Sequence, residues 1–282
     1  MFDDAIARAK ELDQYRKEHG LIGPLHGLPI SLKDSFNVIG YDATIGMLYF
    51  TNKPAIHDSI LVEKLRSLGA VIYCKTNVPQ TMMTADSDNN IWGRTLNPHN
   101  KGLTSGGSTG GEGALIAMRG SIAGIGTDIA GSIRIPSLCD GVNGFKPTSG
   151  RIPFGGQQIP GRPDGVGIVP SAGPMATTVR SCKFLTKVIL ETEPWTYDSD
   201  SLALPWRNVS LPTKLRIGLM TTDTMRTPIS PIAKTLAEAA GKLAAAGHQI
   251  IQMKPPSMKK IMEDTWRLYA LDGNKVEHSD YI

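Results

Sequence analysis

Between residues 102 and 150 the chain is dense in glycine, yet the glycines are set among Leu, Ile and Val, as in SGGSTGGEGALIAMRGSIAGIGTDIAGSIRIP (105–136). A flexible linker has a different composition, glycine with Ser and Pro. Glycine among branched aliphatics serves close backbone approach and positive φ inside packed structure. The stretch therefore predicts the folded centre of the protein, and whatever surrounds it must be able to close around it.

The surroundings can do so. The chain has 282 residues, of which 40% are apolar, enough for one large core. Residues 3–18 place Ile6, Ala9 and Leu12 at helical spacing, predicting a surface helix. LPISLKD (28–34) predicts a short buried strand. Asp58 is expected to cap a helix with the face Leu61, Leu65 and Leu68, ended by Gly69 and followed by a strand, AVIYC (70–74). Beyond the centre, 151–170 and 191–213 read as loops around a helix at 178–190. A strand at 214–220, a helix opened by Ser230 and Pro231 and closed at Gly247, and a strand at 249–253 complete the rhythm. The fold class is α/β, with a mixed, largely parallel central sheet covered by helices on both faces.

Charge and cysteine usage narrow the function. The net charge of +4 is scattered, with no basic run, so no nucleic acid is expected as partner. No segment reaches the roughly 18 uninterrupted apolar residues of a membrane span. Cys74, Cys139 and Cys182 are odd in number and far apart, which gives neither a disulfide framework nor metal spacing, and the six histidines form no ligand pair. A cytoplasmic, metal-free protein is expected.

Three patterns carry candidate chemistry, and each has an ordinary structural alternative. Lys33 at the end of LPISLKD is either a solvated strand-end lysine or, if buried, an amine whose pKa falls from about 10.4 toward neutrality and which can act as a base. Ser108 lies in a glycine turn that opens the helix GEGALIAM (111–118). That turn lacks the GK[ST] of a phosphate loop, and GIGTDI (124–129) lacks the third glycine of a dinucleotide fingerprint. Ser132, in TDIAGSIRIP (127–136), either caps a helix or ends a tight turn. In the second case the N–H groups of Ile129, Ala130 and Gly131 can converge on a developing oxyanion. With no histidine nearby in sequence, Ser132 would lose its proton through Ser108 to Lys33.

Together these residues resemble the amidase signature family of serine hydrolases. GGSTGGEGALIAMRGSIAGIGTDIAGSIRIPSLCDGVNGFKPTSGRIP (106–153) is similar to the family's signature block over nearly its whole length. PLHGLPISLKDSFNV (24–38), KTNVPQTM (75–82) and GPMATTVRS (173–181) are similar to flanking blocks, and the spacing of Lys33, Ser108 and Ser132 is the family's. The resemblance implies the amidase signature fold and a Ser-Ser-Lys triad. Ser132 is then the nucleophile, Ser108 the bridging serine behind a cis peptide after Gly107, and Lys33 the base. It also implies an oxyanion hole of N–H groups from Ile129, Ala130, Gly131 and Ser132, with Ser108 beside it at the substrate. Asp128 and Arg134 are expected to brace the turn. Thr109 stands where many members have a second serine, and Ala130 where many have glycine, although the fungal acetamidase-like branch accepts alanine.

The resemblance further implies hydrolysis of a carboxamide to a carboxylate and ammonia or an amine through an acyl-enzyme, without metal or organic cofactor. The expected partner is a small aliphatic or aryl amide, with self-association left open. Family members usually run far longer than 282 residues. A single domain over 1–282 is therefore expected to lack N-terminal helices and the C-terminal part of the fold, with WRLYALDGNKVEHSDYI (266–282) falling mid-fold. Three alternatives stay open: an inactive truncated relative, the A subunit of a glutamine-dependent amidotransferase, and an esterase-like hydrolase. The last would use Ser108 in a GxSxG elbow (106–110) with a downstream Asp and His248 or His278, although NPHNKGLTS (97–105) before it does not read as a buried strand.

Overall fold

The computed structural model describes residues 1–160, 167–223 and 225–269. These fall into two units, one of residues 1–160 and 169–206 and one built mainly from the described residues after 206. His278 and the last part of WRLYALDGNKVEHSDYI lie outside the described residues.

In the first unit the elements run α1 (Phe2–His19), β1 (Pro29–Lys33), α2 (Ile60–Ser67), β2 (Val71–Thr76), a small hairpin of β3 (Asp88–Asn89) and β4 (Gly93–Arg94), and α3 (Gly110–Ala117). They continue with β5 (Ala123–Asp128), α4 (Arg134–Asp140), β6 (Asn143–Gly144), β7 (Ser171–Ala176) and α5 (Val179–Leu190). Five strands form one mixed sheet in the order β2-β1-β5-β7-β6. The β2, β1 and β5 strands are mutually parallel, while β7 runs antiparallel to both β5 and β6. A mixed sheet flanked by helices is the α/β class expected.

Successive side chains on a strand point to opposite faces, and this alternation sorts the two layers. Ile30 and Leu32 of β1, Ala123 and Ile125 of β5, and Ala172 and Ala176 of β7 join one core with Leu61, Val62 and Leu65 of α2 and Leu185, Val188 and Ile189 of α5. Full burial of such a Leu or Ile contributes about 1.5–3 kcal/mol each, so this layer dominates stability. Met175 of β7 points to the other face and packs with Ile116 of α3 and Ile133.

Glycine lets α3 lie close on that second face. A Cβ at Gly126 would stand 2.7 Å from Thr109 Cγ2, and one at Gly124 would collide with the Glu112 carboxyl. The dense glycine therefore serves helix-on-sheet contact. It also leaves Ser31 and Lys33, the β1 residues that alternate with Ile30 and Leu32, facing the same layer.

Some local expectations change. Asp58 does not cap α2, whose N-cap is Ser59; its carboxylate instead accepts Ile39 N–H at 2.8 Å and pairs with Arg66 at 3.2 Å. The inward side of α1 runs through Ala5 and Leu12, while Ile6 is 54% exposed. β7 carries no β-branched residue in SAGPMA and so has no sequence signal of a strand, yet it is buried along its full length.

The second unit contains β8 (Arg216–Leu219), α6 (Ser230–Ala245), β9 (Gln249–Gln252) and α7 (Met258–Tyr269). β8 and β9 pair in parallel, joined through α6. Ser230 is the first helical residue, and Ile229 takes the cap position. No helix among the described residues is long and apolar enough to cross a membrane.

Candidate active site

Lys33 ends β1 with only 1% of its surface exposed, despite its long, charge-bearing side chain. Its Nζ lies 2.7 Å from Ser108 Oγ, 2.7 Å from Thr127 Oγ1 and 3.4 Å from Thr127 O. All three are uncharged oxygens. Asp34, the neighbouring acid, turns its carboxylate elsewhere, accepting Thr44 Oγ1–H at 2.9 Å and Ile45 N–H at 2.7 Å and pairing with Lys75 at 3.4 Å. Burial without a paired carboxylate pushes the Lys33 pKa down to about 7, against the opposing pull of Asp128 and Asp34. At neutral pH a large share of Lys33 is a free amine with a lone pair.

Ser108 is placed by the turn ahead of α3. The Gly107–Ser108 peptide is cis, and Gly107 sits so close to the 84–86 backbone that a Cβ there would be 2.6 Å from Thr84 O. The following residue, Thr109, links this turn to the Ser132 corner: its N–H donates to Ser132 O at 3.2 Å, and its Oγ1–H donates to Thr127 O at 3.2 Å. The hydroxyl that replaces a serine here thus holds the end of β5.

Immediately after β5 the chain turns through Ile129, Ala130 and Gly131 to Ser132. One buried carboxylate organises the turn. Asp128 accepts N–H groups from Gly131 at 2.8 Å, Ile133 at 3.1 Å and Arg134 at 3.3 Å, and receives Arg134 Nε and Nη2 at 3.0 and 2.9 Å. Burial alone would raise the Asp128 pKa, but the Arg134 and backbone hydrogen bonds outweigh it and hold the carboxyl below its ordinary range. The positive φ of the turn falls on Gly131, at 134°, and not on Ala130, so alanine fits where a side chain is tolerated.

The hydrogen-bond accounting refines the expected oxyanion donors. Gly131 N–H is committed to Asp128. The N–H groups of Ile129, Ala130 and Ser132 carry no hydrogen bond among the described residues, which leaves three donors at one corner. The Ser132 hydroxyl is likewise unpaired among the described residues, and half-buried. Lys33 and Ser108 are therefore in direct contact, and the Ser132 backbone is tied to the residue after Ser108 by the Thr109 N–H.

Two contributors lay outside the expected set. Thr127 provides the second hydroxyl on Lys33; its place directly before Asp128 in TDIAGS was the available signal. Glu112, four residues after Ser108, is fully buried under α3, whereas an acid in the first turn of a helix ordinarily reads as solvated.

A sequence model of the amidase family matches residues 1–281. Similar curated proteins include an amidase of Gibberella moniliformis, 44% identical over 273 residues covering 96% of this chain and 52% of that protein. An acetamidase of Emericella nidulans is 40% identical over 282 residues, covering 96% of this chain and 51% of that protein. Among solved structures, a fatty acid amide hydrolase superposes with a TM-score of 0.91 at 39% identity, covering 96% of this chain and 48% of that one. The chain thus spans about half the length of the relatives it matches. The fold, the signature block and these likenesses over nearly all of its own length show that the chain belongs to the amidase family.

Proposed function

We propose that this chain carries the reacting groups of a serine amidase, with Ser132 as nucleophile, Ser108 as proton relay and Lys33 as base. The observation that carries the reading is the buried, carboxylate-free contact of Lys33 Nζ with Ser108 Oγ at 2.7 Å. A lysine in that setting is a base, because its charged form has lost water and gained no paired anion.

In this reading Lys33 takes the Ser108 proton while Ser108 takes that of Ser132, and Ser132 Oγ attacks the amide carbonyl carbon. Negative charge then gathers on the carbonyl oxygen, where unpaired N–H groups at Ile129, Ala130 and Ser132 are suited to receive it; each such donor is worth about 2.7–4 kcal/mol in comparable sites. Collapse breaks the C–N bond, the relay returns the proton to the leaving nitrogen, and an ester links the acyl group to Ser132. Water, deprotonated by the same relay, releases the carboxylic acid. Catalytic hydrogen bonds are often loose before substrate binds, so the Ser132–Ser108 bond is assigned to the substrate complex.

The substrate is assigned to the class of small aliphatic or aryl carboxamides, acted on by the cytoplasmic protein without metal or organic cofactor. Asp128 and Arg134 hold the corner, and Thr109 ties it to the Ser108 turn. The elbow alternative fits less well. No strand leads into Ser108, its hydroxyl meets Lys33, and His248 accepts Leu215 N–H at 3.2 Å within the second unit.

The test is turnover of a simple amide by purified protein. Lys33→Ala and Ser132→Ala are each expected to abolish it, and His248→Ala to leave it intact. Since the neutral amine is the active form, the rate is expected to rise as pH increases through about 7. Retained hydrolysis in Ser132→Ala would refute the assignment.

A further inference from the structure

Glu112 lies in α3, and both of its carboxyl oxygens are tied down beneath the helix. Oε1 meets Ser31 Oγ of β1, and Oε2 accepts from Thr76 Oγ1 of β2 at 2.8 Å. Ser31 Oγ lies 2.7 Å from Ser121 Oγ, which donates to Ala123 O at 2.9 Å, while Thr76 Oγ1 lies 3.2 Å from Leu32 O. No cation pairs with Glu112 among the described residues.

The cluster has more contacts than hydroxyl protons. Five oxygen–oxygen contacts share the protons of three hydroxyls, Ser31, Ser121 and Thr76, each of which can donate once. With a carboxylate at Glu112, Ser31 and Thr76 donate to it and the Ser121 proton serves either Ser31 or Ala123 O, so two of the five contacts go unmade. With a carboxylic acid the chain runs in one direction, from Glu112 to Ser31 to Ser121 to Ala123 O, and only the longest contact is left over. The acid makes four of the five contacts where the carboxylate makes three, and it leaves no buried charge without a paired cation, which favours the second arrangement.

We propose that Glu112 is a neutral carboxylic acid that donates into the Ser31–Ser121 chain and acts as a positioning residue. It fastens the helix that follows Ser108 to the strand that carries Lys33, without adding a negative charge to that layer. The positioning role rests on the assignment of Lys33 and Ser108 above; the protonation state does not.

The surroundings agree. Burial pushes the Glu112 pKa up to about 7, and the contacts with Ser31 and Thr76, which favour the charged form, offset only part of that rise. The titratable neighbours from β2 are Tyr73 and Cys74, both raised to about 12 by burial and so uncharged at neutral pH. Lys33 shares the β1 face with Ser31, Asp128 ends β5, and from α4 the Asp140 carboxyl abuts Gly113 and is raised by burial to about 6.

The sign of the linkage gives a test that needs no amide turnover. The folded pKa lies above the ordinary 4.5, so the contribution to stability is fully present below about 4.5 and is lost as pH rises through about 7. A pH series of thermal unfolding is expected to show Tm of the intact chain falling by several degrees over that window relative to Glu112→Gln. Infrared spectra near pH 6 should contain a protonated-carboxyl carbonyl band that Glu112→Gln removes. Ser31→Ala, which deletes the acceptor, should shift that band to higher frequency and serves if the Gln variant fails to fold. Glu112→Ala should slow chemical labelling of the site serine, and Gln should restore it. Parallel pH profiles, a carboxylate band in place of the acid, an unshifted band in Ser31→Ala, or no rescue by Gln would overturn the proposal.

Discussion

Helices α5 and α6 read alike in sequence and end in different circumstances. Both repeat apolar residues at three- and four-residue spacing. Yet α5 buries Cys182, Leu185, Thr186, Val188, Ile189 and Leu190, whereas α6, longer at 16 residues, buries none. The difference lies in the partner. Behind α5 stands β7, buried throughout within a five-stranded sheet, while α6 joins a two-stranded parallel pair whose residues are at most half-buried. Two parallel strands and one crossover helix offer too little surface to enclose a core. Periodicity specifies a helix and its inward face; only the neighbouring layer converts that face into stability.

The comparison can be broken by truncating the same residue type in each helix and measuring denaturant unfolding. Leu185→Ala is expected to cost about 2–5 kcal/mol, because it opens a cavity in the main core. Asp128→Ala should come next, at about 2–3 kcal/mol, through the buried N–H groups of Gly131 and Ile133 that lose their acceptor. Leu243→Ala in α6, already 37% exposed, should change stability by less than about 1 kcal/mol. Equal losses at Leu185 and Leu243 would mean that the second unit holds a core of its own.

The same contrast explains what could be read from sequence. Strand β1, α5 and α6 were legible because their patterns are local. Lys33, Ser108 and Ser132 are singled out by their likeness to the amidase signature blocks rather than by local pattern, and of these the structure brings Lys33 and Ser108 into contact. The burial of Lys33 and its lowered pKa could not be read from sequence, since they depend on Thr127 and on Asp34 turning toward Thr44, Ile45 and Lys75. The commitment of Gly131 N–H to Asp128 likewise needs the folded turn. Glu112 was hidden by its context, a first-turn acid that would be solvated on any helix not pressed onto glycines 124 and 126.

The central claim is that Lys33, as a neutral amine, activates Ser132 through Ser108. Reaction with a fluorophosphonate, followed by mass mapping of the modified serine across a pH series, addresses it most directly. The account predicts an adduct on Ser132, lost in Ser132→Ala, forming faster as pH rises through about 7. An adduct on Ser108 that survives Ser132→Ala would contradict it.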